Sequence, residues 1–255
     1  MTLLRVLFAE LLKMKRTIAL ALVVIAPFAV GTLILFAVAQ APFSMLRVRN
    51  AAGSQWMELA RLNLELWGAL MLPLFITIET ALIAGLDHSE NQWKILFARP
   101  VPRWTFYTAK LLVVTAMTAA GTALLLCGVL LAGALLPFLP LSVKVHFGLP
   151  VPLAEMLRRS AQVSGLAFLM LTIQHWVSLR WRAFSVATGV GILATVTGFV
   201  MLAASRQAGG WQQYFPWSLP MLPAEKAASA LWIGGAAGLA VAAAGCWDFC
   251  RREVK

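Results

Sequence analysis

Residues 88–110 hold the main group of side chains that could bind or react, in the order HSENQWKILFARPVPRWTFYTAK. His88 and Glu90 are two residues apart, so in a helix they would point about half a turn from each other and could not share one site. The chain has no G-x-S-x-G nucleophile motif, no H-E-x-x-H zinc motif and no Asp pair suited to hold Mg²⁺ at a phosphate. The stretch is therefore better suited to contacting another molecule than to catalysis.

The sequence also lacks motifs for binding ATP or a metal ion. No G-x-x-x-x-G-K-[ST] phosphate-binding loop occurs in the sequence. We therefore expect a partner, and not this chain, to bind ATP and Mg²⁺, and we expect no cofactor in the chain itself. His88, His146 and His175 fall in three different regions of the predicted topology, so a shared metal site is not expected.

The composition places these residues in a membrane protein. The sequence is 61% apolar and 12% charged, with a mean hydropathy of +0.82, far from the values of soluble domains. A membrane-spanning helix needs about 20 mostly apolar residues. Six runs meet this need, at residues 17–40, 62–86, 105–137, 156–179, 183–204 and 226–248. The prediction is an all-α, polytopic membrane protein with six transmembrane helices.

The distribution of Lys and Arg predicts the orientation, because cytoplasmic loops retain positive charge. With both ends inside, 13 of the 21 basic residues lie on the inner side and 8 on the outer side. Both termini are therefore predicted to be cytoplasmic. The net charge of +11 is then explained by anionic lipid headgroups, and we expect no nucleic-acid partner.

The beginning of the chain has the pattern of an amphipathic helix. Its basic residues Arg5, Lys13 and Arg16 share one arc. The opposite arc is apolar and consists of Leu4, Leu7, Phe8, Leu11 and Met14. A helix of this kind lies in the cytoplasmic interface of the membrane. The alternative is that residues 2–14 extend the first span inward.

Two acidic residues are expected within the second span. Glu65 and Glu79 are 14 residues apart, hence nearly on one helix face and about 21 Å apart along the axis. A charge near the bilayer centre costs about 2.5–3.5 kcal/mol, so Glu79 is expected to face the interior of the bundle or of a dimer. Two roles remain open for these acids: a part in a substrate path or gate, and a structural hydrogen bond or neutral acid.

The connection at residues 205–224 is too apolar for a solvated linker and too rich in proline for a full span. A short re-entrant or interfacial element on the outer side fits this pattern. The residues expected to form it are Tyr214, Phe215, Pro216, Trp217 and Pro220.

The inner connection between the second and third spans allows two interpretations. Its apolar side chains, such as Trp93 and Leu96, could enter a groove of a partner protein while Glu90 and Lys94 supply charge. Alternatively, the connection only redirects the chain, because Pro100 and Pro102 end any helix there.

Three pieces of the sequence resemble the permeases of type-2 ATP-binding-cassette exporters, and more narrowly the lantibiotic and bacitracin immunity permeases. They are the pattern EN-x-WK-x-L-x-x-x-PVPR-x-x-x-Y-x-x-K at 90–110, VSLRWRAFSVATGVGI at 177–192 and YFPWSLP at 214–220. The basic amphipathic start and the RREV tail fit the resemblance as well.

The resemblance implies a coupling helix within residues 87–103 that docks on a cytoplasmic ATPase subunit. The implied contact residues are His88, Ser89, Glu90, Asn91, Gln92, Trp93, Lys94 and Leu96. It also implies a second permease copy or a paralogue, and a location in the bacterial cytoplasmic (inner) membrane. The expected division of the chain is an interfacial helix at 1–16, a transmembrane domain at 17–248 and a cytoplasmic tail at 249–255.

Three functions remain open at this point. The leading one is the permease subunit of an exporter for an amphipathic or hydrophobic substrate, such as a peptide antibiotic or a lipid-linked molecule. The alternatives are a membrane-embedded lipid-modifying enzyme and a scaffold subunit that does not transport. The lack of active-site motifs favours the first.

Overall fold

The computed structural model describes residues 2–15, 17–40, 52–89, 100–138, 147, 149–208 and 211–251. These ranges contain nine α-helices and no strand, which confirms the all-α prediction. The helices are α1 (Thr2–Met14), α2 (Ile18–Gln40), α3 (Ala52–Leu66), α4 (Leu72–Ser89), α5 (Arg103–Leu135), α6 (Leu153–Arg180), α7 (Phe184–Ala208), α8 (Ala224–Trp232) and α9 (Gly238–Arg251). Short 3₁₀ turns occur at Leu136–Phe138, Trp211–Tyr214 and Leu219–Met221.

Five of the six predicted spans correspond to helices that are long and apolar enough to cross a membrane. They are Ile18–Val38, Gln55–Asp87, Arg103–Leu135, Phe184–Ala204 and Ala224–Arg251. The second is longer than predicted, because α3 continues into α4 without a break in the helical path. With about 30 Å of hydrocarbon to cross, a helix of this length also reaches beyond the membrane core.

The sixth predicted span, at 156–179, corresponds to α6, which is less apolar than the other five. This helix is continuous over 28 residues, which gives it a length of about 42 Å. Its buried polar residues are Ser160, Gln162, Thr172, Gln174, His175 and Ser178. The polar side chains face neighbouring helices and lower the mean hydropathy, which is why length and composition alone do not mark α6 as a span.

Helices α5 and α6 form the centre of the bundle. α5 packs against α1, α2, α3, α4, α6 and α9, while α6 packs against α4, α8, α9 and the 3₁₀ turn at Leu219–Met221. α4 packs against both α6 and α7. The largest buried apolar cluster includes Trp67, Phe75, Tyr107 and Met170, so its members come from α5, α6 and the span that packs against them.

Two π-helical turns, at Trp67–Met71 and Ile233–Ala237, interrupt the α-helical geometry of the second and last spans. The first lies just before Pro73, which lacks an N–H and whose ring would clash with the carbonyl four residues earlier. Each turn brings a glycine against another backbone. A Cβ on Gly68 would lie 3.0 Å from the Pro220 carbonyl oxygen, and one on Gly234 would lie 2.9 Å from the Gly165 carbonyl oxygen. The turns therefore allow close backbone packing.

Helix α1 is separate from α2, so it does not extend the first span. It ends at Met14, where the Thr17 hydroxyl donates a hydrogen bond to the Met14 carbonyl at 3.0 Å. In its apolar arc, Leu4, Phe8 and Leu11 are 60%, 64% and 42% exposed, whereas Met14 at the end of the helix is buried at 3%. This exposure is what an interfacial helix requires of its lipid-facing side.

Candidate functional site

Four charged side chains from three helices meet at the end of the bundle where α1 lies. Glu10 and Lys13 come from α1, Asp87 from α4 and Lys110 from α5. The Lys13 ammonium lies 2.9 Å from Glu10 Oε1 and 3.0 Å from Asp87 Oδ1. The Lys110 ammonium lies 2.7 Å from Glu10 Oε2 and 2.5 Å from Asp87 Oδ2. Each acid therefore contacts both lysines, and we call these four residues the charge cluster.

The charge cluster is almost entirely removed from solvent. Asp87 and Lys110 are 0% exposed and Glu10 is 2% exposed, while the Lys13 side chain keeps 28% of its surface. Burying an ion costs several kcal/mol unless a counter-charge and hydrogen bonds compensate for it. Two acids and two lysines balance formally to zero, so every charge in the cluster is compensated.

The electrostatics of Lys13 show how this balance works. Burial alone would lower the pKa of Lys13, but the negative charges of Glu10 and Asp87, with a hydrogen bond to each, raise it above the ordinary lysine value. Lys13 therefore stays protonated at neutral pH. The spacing of three residues places Glu10 and Lys13 on one side of α1, and this side faces the protein.

Sequence reasoning placed Lys13 and Lys110 among the inner positive charges and did not assign Glu10 a role. The structure adds that both lysines bind acids within the protein. A signal was present in the sequence. A lysine seven residues inside a long apolar helix is costly unless it has an acidic partner, and few acids occur near the inner ends of the spans.

Two further contacts join helices at the same end of the bundle. The Arg103 guanidinium, in the first turn of α5, donates to the Cys250 carbonyl in α9 at 3.2 Å. The Trp176 indole N–H, in α6, donates to Asp248 Oδ2 in α9 at 2.9 Å. Polar contacts therefore connect α1, α4, α5, α6 and α9 on this side.

A second group of buried polar side chains lies on α4 and α6, and we call it the polar seam. Its members are Thr77, Glu79, Thr80, Gln174, His175 and Ser178. The Ser178 hydroxyl donates to Thr80 Oγ1 at 3.0 Å, and the Gln174 amide donates to the Ala187 carbonyl at 2.8 Å. The His175 ring lies edge-on to the Tyr107 ring, with 4.8 Å between centroids.

The polar seam is incompletely paired, in contrast to the charge cluster. Both carboxyl oxygens of Glu79, Gln174 Oε1 and His175 Nε2 have no hydrogen-bond partner within the described residues. Glu79 is 0% exposed. The prediction that this acid faces the interior is consistent with its burial, and its role stays open.

Glu65 and Glu79, which the sequence predicted to lie nearly on one helix face, differ in burial. Glu65 is 59% exposed and lies 2.6 Å from Arg61 Nη1, and Arg61 also pairs with Glu58. The π turn at Trp67–Met71 lies between the two acids. A π turn adds about one residue to a helical turn and so rotates the following face by roughly 100°. The prediction assumed a straight α-helix, which this turn interrupts.

The predicted outer element packs into the bundle. Trp217 and Pro220 are buried, Phe215 and Pro216 are half-buried and Tyr214 is exposed. The Phe215 and Trp217 rings lie 5.8 Å apart. A Cβ on Gly198 of α7 would lie 3.0 Å from Trp217 Cβ. The element is therefore held by α7 on one side and by the π turn at Gly68 on the other.

Most of the predicted ATPase-contact residues lie outside the described part of the chain. These are Glu90, Asn91, Gln92, Trp93, Lys94 and Leu96. The backbones of His88 and Ser89 form the end of α4. Within the described ranges, no group of three or more His, Cys, Asp or Glu side chains is placed to hold a metal ion.

The long apolar helices and the polar side chains in their interior define a multi-pass membrane protein. The family model of the ABC-2 family transporter protein matches residues 6–199, a range that contains the charge cluster and the polar seam. The chain therefore belongs to the ABC-2 transporter family, whose members are the membrane components of ABC transporters and normally work with an ATPase partner. A comparison with curated proteins found no match.

Proposed function

We propose that the chain is the permease subunit of an ATP-binding-cassette exporter driven by a separate ATPase subunit. The observation that carries this proposal is the family match over residues 6–199. The sequence has no phosphate-binding loop, so the ATPase partner binds ATP and Mg²⁺. The permease then supplies the path, and the partner supplies the free energy.

The partner docks on the connection between α4 and α5. In this proposal the docking residues are His88, Ser89, Glu90, Asn91, Gln92, Trp93, Lys94 and Leu96. Trp93 is the apolar anchor, since tryptophan is enriched among the residues that dominate interface energies. The connection follows α4 directly in sequence, and Asp87 at the end of α4 is bound to Lys110 of α5, so both flanking helices are joined.

The substrate is an amphipathic or hydrophobic molecule, such as a peptide antibiotic or a lipid-linked molecule, exported from the cytoplasm or the membrane. The resemblance to immunity permeases supports this class. Glu79 has a gating role, because it is buried between helices and its oxygens lack partners in the described residues. Glu65 and the outer element from Tyr214 to Pro220 lie beside the exit of the path.

The remaining parts of the proposal concern placement. The chain is an inner-membrane protein of a bacterium, with six spans and both termini in the cytoplasm, as the Lys and Arg distribution predicts. α1 lies in the lipid interface with its exposed apolar arc in the membrane. A second copy of the chain or a paralogue completes the path, and no nucleic acid takes part.

Co-purification from membranes of the native host tests the proposal. We expect an ATPase with a phosphate-binding loop to elute with the permease, and its ATP hydrolysis in lipid vesicles to rise with peptide antibiotics or lipid-linked compounds. A permease that is recovered folded and without such an ATPase, at any detergent or salt concentration that preserves the bundle, contradicts it.

A further inference from the structure

The charge cluster connects the two helices on either side of the α4–α5 connection and fixes α1 to both. Asp87 lies two residues before the end of α4, and Lys110 lies seven residues after the start of α5, which is about 10 Å along that helix. Glu10 and Lys13 reach both of them from α1. A displacement of the connection therefore acts on three helices at once.

The cluster is better suited to fixing a geometry than to adding stability. Apolar residues of the same volume often stabilise a bundle as well as a buried ion pair does. Hydrogen-bonded charges differ from apolar contacts because they require particular distances and directions. A helix end held by ion pairs thus resists sliding in a way that an apolar contact does not.

The pattern of contacts also allows more than one arrangement. Each acid contacts both lysines, at four distances between 2.5 and 3.0 Å. If α1 or α4 shifts, one contact can lengthen while each charge keeps another partner. A packed element with discrete alternative pairings is the kind of element that carries coupling between sites.

We propose that Glu10, Lys13, Asp87 and Lys110 are positioning residues for energy coupling, which transmit movement of the α4–α5 connection to α1 and α5. The inference rests on the proposed function, since it assumes an ATPase that acts on this connection. It adds that α1 is a moving part of the coupling apparatus and not only a lipid anchor.

Two charge-balanced variants separate coupling from folding. Asp87→Asn with Lys110→Met removes the ion pair between α4 and α5. It leaves Glu10 paired with Lys13, so that the remaining pair has no net charge. Glu10→Gln with Lys13→Met leaves the Asp87 and Lys110 pair and releases α1. Neither leaves a buried charge unpaired, so both should insert and bind the ATPase. Glu155→Gln with Arg158→Met removes an exposed pair and is the matched control.

The measurement is the distance between spin labels on α1 and α7, attached at Leu4→Cys and Val196→Cys in a background without the native cysteines. Both positions are exposed. The purified permease–ATPase complex is compared in lipid vesicles without nucleotide and with ATP and orthovanadate. We expect a shift of this distance in the parent protein and the control, and loss of the shift in both charge-balanced variants, with the ATPase still bound.

The outcomes distinguish the two proposals. If no ATPase elutes with the parent protein, the proposed function fails and the inference fails with it. If the ATPase binds and either variant still shows the parental shift, the inference alone is overturned, because the residues that it removes serve only to hold the bundle. If the first variant does not fold, the second decides the question by itself.

Discussion

Asp87 and Glu79 are two buried acids on the same helix, eight residues or about 12 Å apart, and their surroundings differ completely. Asp87 contacts lysines from α1 and α5 at 3.0 and 2.5 Å. Glu79 has no hydrogen-bond partner within the described residues. The comparison shows that burial alone does not define the role of an acid in a membrane bundle. A paired acid fixes helices to each other, whereas an unpaired acid is available for a ligand or a proton.

The largest effect is expected from removing one charge of the cluster. Lys110→Met leaves two buried acids that share only Lys13, and an uncompensated buried charge costs about 3–5 kcal/mol. We expect a large loss of folded protein in membranes and a clear fall of the melting temperature in detergent. Adding Asp87→Asn should restore most of the loss. Equal stability of the single variant and the parent would show that the cluster contributes no electrostatic energy.

A second effect concerns the connection that follows Asp87. Trp93→Ala should leave the permease folded, since residue 93 lies between helices α4 and α5, but it should weaken ATPase binding by about 2 kcal/mol or more, which is roughly 30-fold. Glu90→Arg should weaken it as well. Quantitative co-purification measures both variants, with Lys144→Ala, in the connection expected on the outer side, as control. Equal recovery for all three would favour a connection that only redirects the chain.

A third prediction concerns how closely α7 packs against Thr77, a member of the polar seam on α4. A Cβ on Gly191 of α7 would lie 2.2 Å from Thr77 Oγ1, whereas one on Gly189 would meet nothing within 4 Å. Gly191→Ala should therefore separate α7 from α4 and cost about 1–3 kcal/mol. Gly189→Ala should be neutral or stabilise by about 0.5–1 kcal/mol. Thermal unfolding of the two variants checks this, and an unchanged Gly191→Ala protein would mean that α4 and α7 are not closely packed.

The smallest effect is expected at Glu79 itself. Glu79→Gln keeps the shape of the side chain and removes a carboxyl that has no cation beside it in the described residues, so it should change stability by less than about 1 kcal/mol. Asp87→Asn should cost more, because it leaves a lysine without one of its acids. Unfolding of both variants under the same conditions provides the test. A larger loss for Glu79→Gln would reverse the comparison and point to an ionised Glu79.

The sequence predicts the helical framework well because each span is a long apolar run. Such a run can be recognised by its length and composition, without a periodic pattern. The sequence predicts α1 for a different reason, because the residues there form the apolar arc and the basic arc of an amphipathic helix. It gives α6 the right extent, although the polar residues Gln174 and His175 lower its hydropathy, because the run at 166–173 before them is still apolar. Helix boundaries at Pro102 and Met14 follow from local residues.

The charge cluster could not be predicted from local patterns, because Glu10 and Lys110 are 100 residues apart in sequence. Their pairing depends on how α1 lies across α5, and no periodicity encodes this packing. The π turn between Glu65 and Glu79 was also not predicted, although it brings Gly68 against the distant Pro220 backbone. Both cases concern contacts between distant parts of the chain.

Site-specific photocrosslinking in native-host membranes tests whether the α4–α5 connection docks on an ATPase. A benzophenone amino acid replaces Trp93 in one protein and Trp211 in another. Trp211 is 70% exposed and lies on the predicted outer side, so it serves as the control. We expect residue 93 to crosslink to an ATPase subunit with a phosphate-binding loop and residue 211 not to do so. Crosslinks from residue 93 only to lipid or to this chain would contradict it.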